Sequence, residues 1–297
     1  MNFIMKSYNG KIVFITGAAM GIGFSLAKAF AMQGARLMLA DIDKEALAKA
    51  VVDLRGSGAD VASVVCDVTS RDSIEQAAAA TIEQYGKVHV VANNAGALTT
   101  GRAGNISVEK WDWSIRLNLM SVVHGTEVFL PLIRQHGEGG HILNTASLAG
   151  HIGYGLHTPY NASKFGVVGY SEALSAELVD EHIDVTILCP GFVSTNIADN
   201  QRHDPTAEPD DNAGNDALKE VVSRGLSPDT VAEFTVEQMQ LSALYVFPNS
   251  GTRVELVARY QKLIRAFDAS DASELIQSDP GSIKQNVNEA DLVESQD

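Results

Sequence analysis

The sequence predicts an α/β fold, a doubly wound parallel sheet with helices on both faces, and three observations predict it. Short apolar, β-branched runs alternate strictly with segments of helical periodicity. A glycine-rich turn joins the first run to the first helix, and 297 residues suit one large domain with a C-terminal extension. Strict strand–helix alternation implies right-handed crossovers, which lay helices on both sides of a parallel sheet.

The elements follow in order. Lys11–Thr16 is an apolar, β-branched run closed by glycines, as a strand buried on both faces requires. Leu26, Ala27, Phe30 and Ala31 recur at helical spacing between Ile22 and Gln33, and Gly34 supplies a stop. The cycle repeats as strand 36–40, helix 44–56, strand 61–66, helix 73–85 and strand 88–92. A long helix at 111–135, a strand at 141–145, a helix at 160–181 and a strand at 185–189 complete the alternating unit. Beyond it the pattern predicts a helix over 228–240, a strand over 243–247 and a helix near 250–267. The expected organisation is one domain over 1–265, with a substrate lid at about 196–225, and an acidic, disordered tail over 266–297.

Thirty-seven acidic against 22 basic residues give a formal charge of −15, which opposes approach to nucleic acid or to an anionic membrane surface. The excess is local, since 266–297 carries eight acids and one lysine, and 196–225 seven acids and three bases. It therefore speaks to solubility and appended segments more than to substrate. Cys66 and Cys189 are too few and too far apart for a disulfide framework or a thiolate metal site. No apolar run approaches the ~18 to 20 residues that span a bilayer, and the segment from Met1 to Ser7 does not read as a signal peptide. A cytoplasmic location is expected.

The chemistry concentrates at the ends of the predicted strands. The turn Thr16–Gly23 converts the first strand into the first helix, so its glycines let the backbone approach a pyrophosphate at the positive end of that helix. A glycine-rich turn alone is often just a tight turn, and its place between a good strand and a good helix is what favours a dinucleotide. Asp41 ends the second strand, where a carboxylate accepts hydrogen bonds from ribose hydroxyls and repels a 2′-phosphate, so NAD is favoured over NADP. Asp43, immediately before the next helix, is the better candidate for a helix cap. Lys44 is the one nearby cation that keeps NADP open.

Further along, Tyr160 and Lys164 stand four residues apart on one helix, which puts the ammonium close to the phenol. Moving a tyrosine from a pKa of ~10 toward 7 needs roughly 4 kcal/mol. A partly desolvated lysine together with the positive ring of an oxidised nicotinamide would supply it, making Tyr160 a general base in alcohol oxidation and a general acid in carbonyl reduction. Ser147 follows the 141–145 strand and lies 13 residues before Tyr160, placed to hydrogen-bond a substrate oxygen as charge develops.

These motifs together resemble the classical short-chain dehydrogenase/reductase family from Lys11 to about Thr195, and that family has a single Rossmann-type domain. Its glycine pattern is matched by Gly17, Gly21 and Gly23, with Met20 and Ile22 between them. Asp67 and Val68 match an adenine-contacting pair, and Asn93 to Gly96, with Asn94 and Ala95 between, match a motif that lines the cofactor cleft. The resemblance implies catalytic roles for Ser147, Tyr160 and Lys164, a proton relay through Asn118, and contacts to the nicotinamide amide from Pro190, Gly191, Val193 and Thr195. The segment Leu226–Phe267 loosely resembles a bacterial branch that includes dehydrogenases of bulky aryl alcohols.

The expected activity is NAD-dependent interconversion of a hydrophobic, aryl-compatible secondary alcohol and its ketone. Leu148, Ile152, Tyr154, Leu156 and Phe192 suggest an apolar pocket, with His157 beside it; Leu148, Tyr154, His157 and Phe192 are the candidate substrate contacts. No catalytic metal is expected, because the eight histidines show no ligand spacing. Gly169–Ala173 half-resembles a hydrolase elbow, but it lies inside the Tyr160 helix rather than at a strand-to-helix turn. An NADP-dependent carbonyl reductase and a non-catalytic dinucleotide sensor remain the alternatives, and a homodimer or homotetramer is the expected assembly.

Overall fold

The computed structural model describes residues 7–197 and 215–279 of the chain. Two compact units divide it, residues 1–251 and residues 252–297; the sequence reading places the corresponding division at 265/266. The part of the expected lid between 198 and 214, and the expected tail from 280 onward, lie outside the described residues.

The first unit is built on a seven-stranded sheet. Its strands are β1 (Ile12–Thr16), β2 (Arg36–Asp41), β3 (Val61–Val65), β4 (Val90–Asn93), β5 (Gly140–Thr145), β6 (Ile183–Leu188) and β7 (Tyr245–Val246). They lie in the order β3-β2-β1-β4-β5-β6-β7, and every neighbouring pair is parallel. The order reverses between β1 and β4, where a crevice opens beyond the carboxyl ends of the strands.

Alternation along the strands sorts side chains into two cores. Val13 and Ile15 of β1, Leu37 and Leu39 of β2 face α1 (Gly21–Met32), α2 (Lys44–Gly56) and α8 (Pro228–Met239) through Leu26, Phe30, Leu47, Val51 and Val236. Ile12, Phe14, Met38 and Ile142 point the other way, onto α3 (Arg71–Tyr85), α5 (Ser121–His136) and α6 (Thr158–Leu178) through Ile74, Phe129, Ile133 and Leu174. Phe14 and Phe129 stack with centroids 4.3 Å apart, fixing α5 against the middle of the sheet.

Local signals set the helix ends. Asp43 caps α2 by accepting from the Ala46 N–H at 3.0 Å, and Ser70 caps α3 from the Ser73 N–H at 3.3 Å. Gly86, at φ +79°, closes α3 in the left-handed conformation that glycine adopts most readily. The predicted long helix at 111–135 begins earlier, as α4 (Val108–Ile115), and passes through a π-turn at Arg116–Met120 into α5. α7 (Asn215–Ser223) precedes α8.

The second unit contains α9 (Arg253–Asp271) and α10 (Glu274–Gln277). The disordered tail expected from Ala266 is therefore corrected over its first part, which is helical. No glycine or proline occurs between 253 and 279, and Ala266 and Ala269 favour propagation once the upstream turns have formed.

Candidate active site

The crevice at the β1–β4 switch has a volume of about 380 Å³ and is lined from four directions. Gly17, Met20, Gly21 and Ile22 form its floor, Asp41, Asp67 and Val68 one end, Asn94, Ala95 and Gly96 a wall, and Asn118, Tyr160, Lys164, Pro190 and Thr195 the other end. These are fifteen of the positions expected from sequence, brought together from nearly 180 residues of chain.

The floor is shaped by positions that have no room for a side chain. Gly17 and Gly21 hold φ of +63° and +57°, and a Cβ at Gly17 would stand 2.9 Å from the Ala95 Cα. At Gly23 it would stand 2.1 Å from the Gly17 carbonyl oxygen. Gly23 itself does not line the crevice; it lets α1 start close beneath the turn. No side chain caps that start, so the N–H groups and positive dipole end of α1 face the crevice floor. The turn is tied to β4 by Thr16, whose hydroxyl accepts from the N–H groups of Asn94 and Ala95 at 2.9 and 3.0 Å. The Asn94 amide donates back to the Thr16 carbonyl at 3.1 Å.

Asp41 is held by two backbone donors, Ala19 N–H and Asp43 N–H, both at 3.0 Å. Its carboxylate therefore fixes the glycine turn as well as closing the crevice. Asp67 accepts from the Thr69 N–H at 2.9 Å and the Thr69 hydroxyl at 2.7 Å, which sets the neighbouring Val68 against the same end.

Asn118 lies in the π-turn and is fully buried. Its carbonyl oxygen accepts from the Ala97 N–H at 3.1 Å, and its amide donates to the carbonyls of Ala97 and Ser114 at 3.0 and 3.1 Å. The extra residue of a π-turn re-aims a side chain that regular helix would turn away, which is the usual reason such turns stand at sites. A Cβ on Gly96 would lie 2.8 Å from the Asn118 oxygen and 3.6 Å from the Lys164 ammonium, so glycine there keeps the crevice open between them.

Tyr160 and Lys164 share one face of α6. The Lys164 ammonium lies 5.7 Å from the Tyr160 ring centroid and donates to the Thr145 carbonyl at 2.8 Å. Burial lowers the lysine pKa to about 8. Ser147, at the end of β5, hydrogen-bonds Tyr160, and its own oxygen also accepts from the Ala149 N–H at 3.1 Å. Burial raises the Tyr160 pKa, and the Ser147 hydrogen bond opposes the rise without reversing it. The chain alone therefore does not lower the phenol's pKa, and the expected shift calls on the positive ring of an oxidised nicotinamide beside Lys164. The ring is enclosed by protein, and a positive charge brought by a cofactor is needed to favour the anion.

The residues present fit a dinucleotide. The cradle that a Cβ would fill at Gly17 and Gly23, the uncapped start of α1 and the acid at the end of β2 match a pyrophosphate and a ribose diol.

The remaining expected residues lie around the crevice. Gly191 donates to the Asn249 side chain at 2.9 Å, and Val193 bridges to Leu226, anchoring the segment that ends at Thr195. Of the candidate substrate contacts, Leu148 is buried in a short 3-10 turn, Tyr154 packs with Leu98, Ala149, Tyr160 and Ile197, His157 precedes α6, and Phe192 is exposed. None of these four lines the crevice itself. Its apolar side comes from Trp113 and Leu117, which the sequence reading missed, together with Ala97, just after the Asn93–Gly96 motif, and Ile197, within the expected lid. Trp113 and Leu117 stand five residues and one residue before Asn118, four apart on one helical face, a spacing that would have grouped them had Asn118 been used as the anchor.

Elsewhere, among the described residues, His89, His136 and Glu138 form one cluster of metal-ligand type. Its ring nitrogens are already engaged. His89 Nδ1 accepts from the Ile12 N–H and its Nε2 meets Glu138 at 2.9 Å. His136 Nδ1 accepts from the Glu138 N–H and its Nε2 meets the Val88 carbonyl at 2.7 Å. Each imidazole is thus the Nε2–H tautomer with no lone pair left for an ion, and the cluster serves as a polar clasp at the amino ends of β1 and β4.

Comparison with known proteins places these features in company. A model of the short chain dehydrogenase family matches residues 11–206. The chain is 33% identical to a CLA biosynthesis dehydrogenase/reductase of Lactiplantibacillus plantarum, over 82% of this chain and 89% of that one. It is 30% identical to a C alpha-dehydrogenase of a Sphingobium strain, over 95% and 93%. A short chain dehydrogenase/reductase from Burkholderia phymatum, solved in complex with NAD, superposes with a TM-score of 0.84 at 35% identity, over 88% of this chain and 96% of that one.

Proposed function

The chain belongs to the short chain dehydrogenase family, whose members are oxidoreductases, and from that premise we propose that it interconverts a hydrophobic, aryl-compatible secondary alcohol and its ketone with NAD. The observation that carries the proposal is the pair of buried side chains Tyr160 and Lys164 at one end of the dinucleotide crevice, with the half-buried Ser147 hydrogen-bonded to Tyr160.

Bound NAD supplies the hydride acceptor for oxidation and, as NADH, the donor for reduction. In the oxidative direction the Tyr160 oxygen takes the alcohol proton as the carbon–hydrogen bond breaks, and in reduction it returns that proton to the carbonyl oxygen. Ser147 donates a hydrogen bond to the same oxygen and holds it beside the phenol. Lys164, fixed by the Thr145 carbonyl, favours the phenolate from a position that burial keeps out of bulk water. Asn118 steadies the segment after Gly96 and stands where a proton path away from Lys164 would pass.

Asp41 supports NAD, because its carboxylate occupies the end of β2 and is already held in place by two backbone donors. The Burkholderia relative bound to NAD supports the same choice. Trp113, Leu117 and Ile197 favour an apolar substrate, and the Sphingobium C alpha-dehydrogenase, aligned over nearly the whole chain, supports a dehydrogenase. Among the described residues no helix is long and apolar enough to cross a membrane. Two buried free thiols, Cys66 and Cys189, suit a reducing cytoplasm.

A panel of aliphatic and aryl secondary alcohols with NAD or NADP, followed at the absorbance band of the reduced cofactor, tests the reading. Turnover with NAD on the larger apolar alcohols is the expected result. Equal use of NADP would refute the cofactor choice, and no turnover across the panel in either direction would refute the activity.

A further inference from the structure

The helix α9 carries an apolar face of exposed side chains. None of its residues is buried, and Val257, Tyr260, Leu263, Ile264 and Phe267 are all exposed, Ile264 at 62% and Phe267 at 71%. With Leu256, which is half-buried, these side chains fall on one arc of the helix. Leu256, Tyr260, Leu263 and Phe267 follow the alternating four- and three-residue steps of a helix–helix seam, and Val257 and Ile264 flank it seven residues apart. Water-facing aromatic and aliphatic side chains in that pattern are the signature of a surface that is covered in the working protein.

The charges along α9 say what covers it. Within the helix, residues 253–265 carry four basic and one acidic side chain, whereas 266–271 carry two acidic and no basic ones. On the arc of the seam itself, Arg253 stands at one end and Asp268 and Asp271 at the other. A second α9 lying parallel would set Arg253 beside Arg253 and acid beside acid. Lying antiparallel, it sets Arg253 of each copy beside the acidic end of the other, at Asp268 and Asp271.

We propose that α9 docks antiparallel onto α9 of a second copy of this chain. In the register that superposes the seam positions, Leu256 packs on Phe267 of the second copy and Tyr260 on its Leu263, each contact occurring twice by symmetry. Arg253 then lies at the level of Ser270 and Asp271 of that copy. The helix has 19 residues, a length of about 28 Å at ~1.5 Å per residue. Such a seam stands at the small end of specific interfaces, so the association depends on protein concentration.

Disulfide trapping tests the arrangement in the full-length protein. Arg253→Cys and Ser270→Cys are made as separate variants; the native Cys66 and Cys189 are buried at 2% and 1% exposure and do not compete. Mixing the two variants under mild oxidation is expected to give a disulfide-linked dimer that neither gives alone. Cross-linking of Arg253→Cys with itself would overturn the antiparallel arrangement, and no cross-link in the mixture would overturn the docking itself, including the case in which residues 280–297 of the same chain cover the face. In sedimentation, Phe267→Glu is expected to weaken self-association at least tenfold, and Arg253→Asp is expected to be rescued by Asp271→Arg. Mass distributions unchanged by Phe267→Glu across concentration would also overturn the proposal.

Discussion

Replacing Gly23 with alanine adds one methyl group where the dinucleotide turn has no space for it. The new Cβ would stand 2.1 Å from the Gly17 carbonyl oxygen and 2.6 Å from the Asn94 amide nitrogen, whereas ordinary contact begins at 3.4 Å. The turn must open by about 1.3 Å, the difference between 3.4 and 2.1 Å. Neither neighbour yields easily, since one is backbone and the other is held by the Thr16 carbonyl. Overpacking of this kind costs ~1–3 kcal/mol of stability. Displacing one N–H that would meet the pyrophosphate removes a charge-assisted hydrogen bond of ~1.5–3 kcal/mol, which is roughly a 10- to 100-fold rise in Kd. Titration of NADH by calorimetry gives the affinity, and a thermal melt of the same sample separates lost binding from lost fold. Gly58→Ala is the control, because Gly58 has a positive φ of +85° but open space around it, so only backbone strain is added. A Gly23→Ala protein with unchanged Tm and a Kd within about threefold of wild type, well inside the ~1.4 kcal/mol of a tenfold change, would refute the assignment of this turn to the dinucleotide.

Two further outcomes follow from the same geometry. Asp41→Ala removes the acid that repels a 2′-phosphate, so the ratio of kcat/KM for NAD over NADP is expected to fall at least tenfold; it also frees the N–H groups of Ala19 and Asp43, lowering the Tm by a few degrees. Burial lowers the pKa of His141 to about 3 and of His89 to about 4, from an ordinary 6.5. Between those values and 6.5 the unfolded chain binds protons that the folded one refuses, so stability is complete above pH ~6.5 and is lost as the pH falls toward 4, by a few kcal/mol at ~1.4 kcal/mol per unit. His141→Gln keeps a donor for Thr186 and is expected to flatten the acid limb of a Tm-versus-pH curve; an unchanged slope would contradict the buried neutral imidazole.

What the sequence made legible, and what it hid, follows from how each feature is encoded. Strands such as Ile12–Thr16 are buried on both faces and read as continuous apolar runs, and the Asp43 cap is a local signal that needs no tertiary context. The glycine turn was legible because strand, glycines and helix are contiguous. The π-turn at Arg116–Met120 was not, since its residues have ordinary helical propensity and the extra residue shows only in the hydrogen-bond pattern. Trp113 and Leu117 were missed because a pocket wall is made by packing between distant segments, whereas Leu148 and Phe192 are near in sequence to catalytic positions without lining the crevice. The raised Tyr160 pKa was hidden for the same reason: the i, i+4 spacing shows the lysine, but only the fold shows how fully both groups are enclosed. The helical stretch after Ala266 was hidden by its charge, which resembles that of a disordered segment although nothing in it breaks a helix.

The central claim is that the Tyr160 hydroxyl carries the proton in the reaction, and Tyr160→Phe removes that hydroxyl while keeping the ring that packs against Leu98 and Ala149. Turnover of the best secondary alcohol from the panel, measured with NADH affinity on the same preparation, is expected to fall at least 100-fold, the lower bound for losing a general acid–base, with the Kd for NADH unchanged. Turnover above a tenth of the wild-type rate in a variant that still binds NADH would contradict the account.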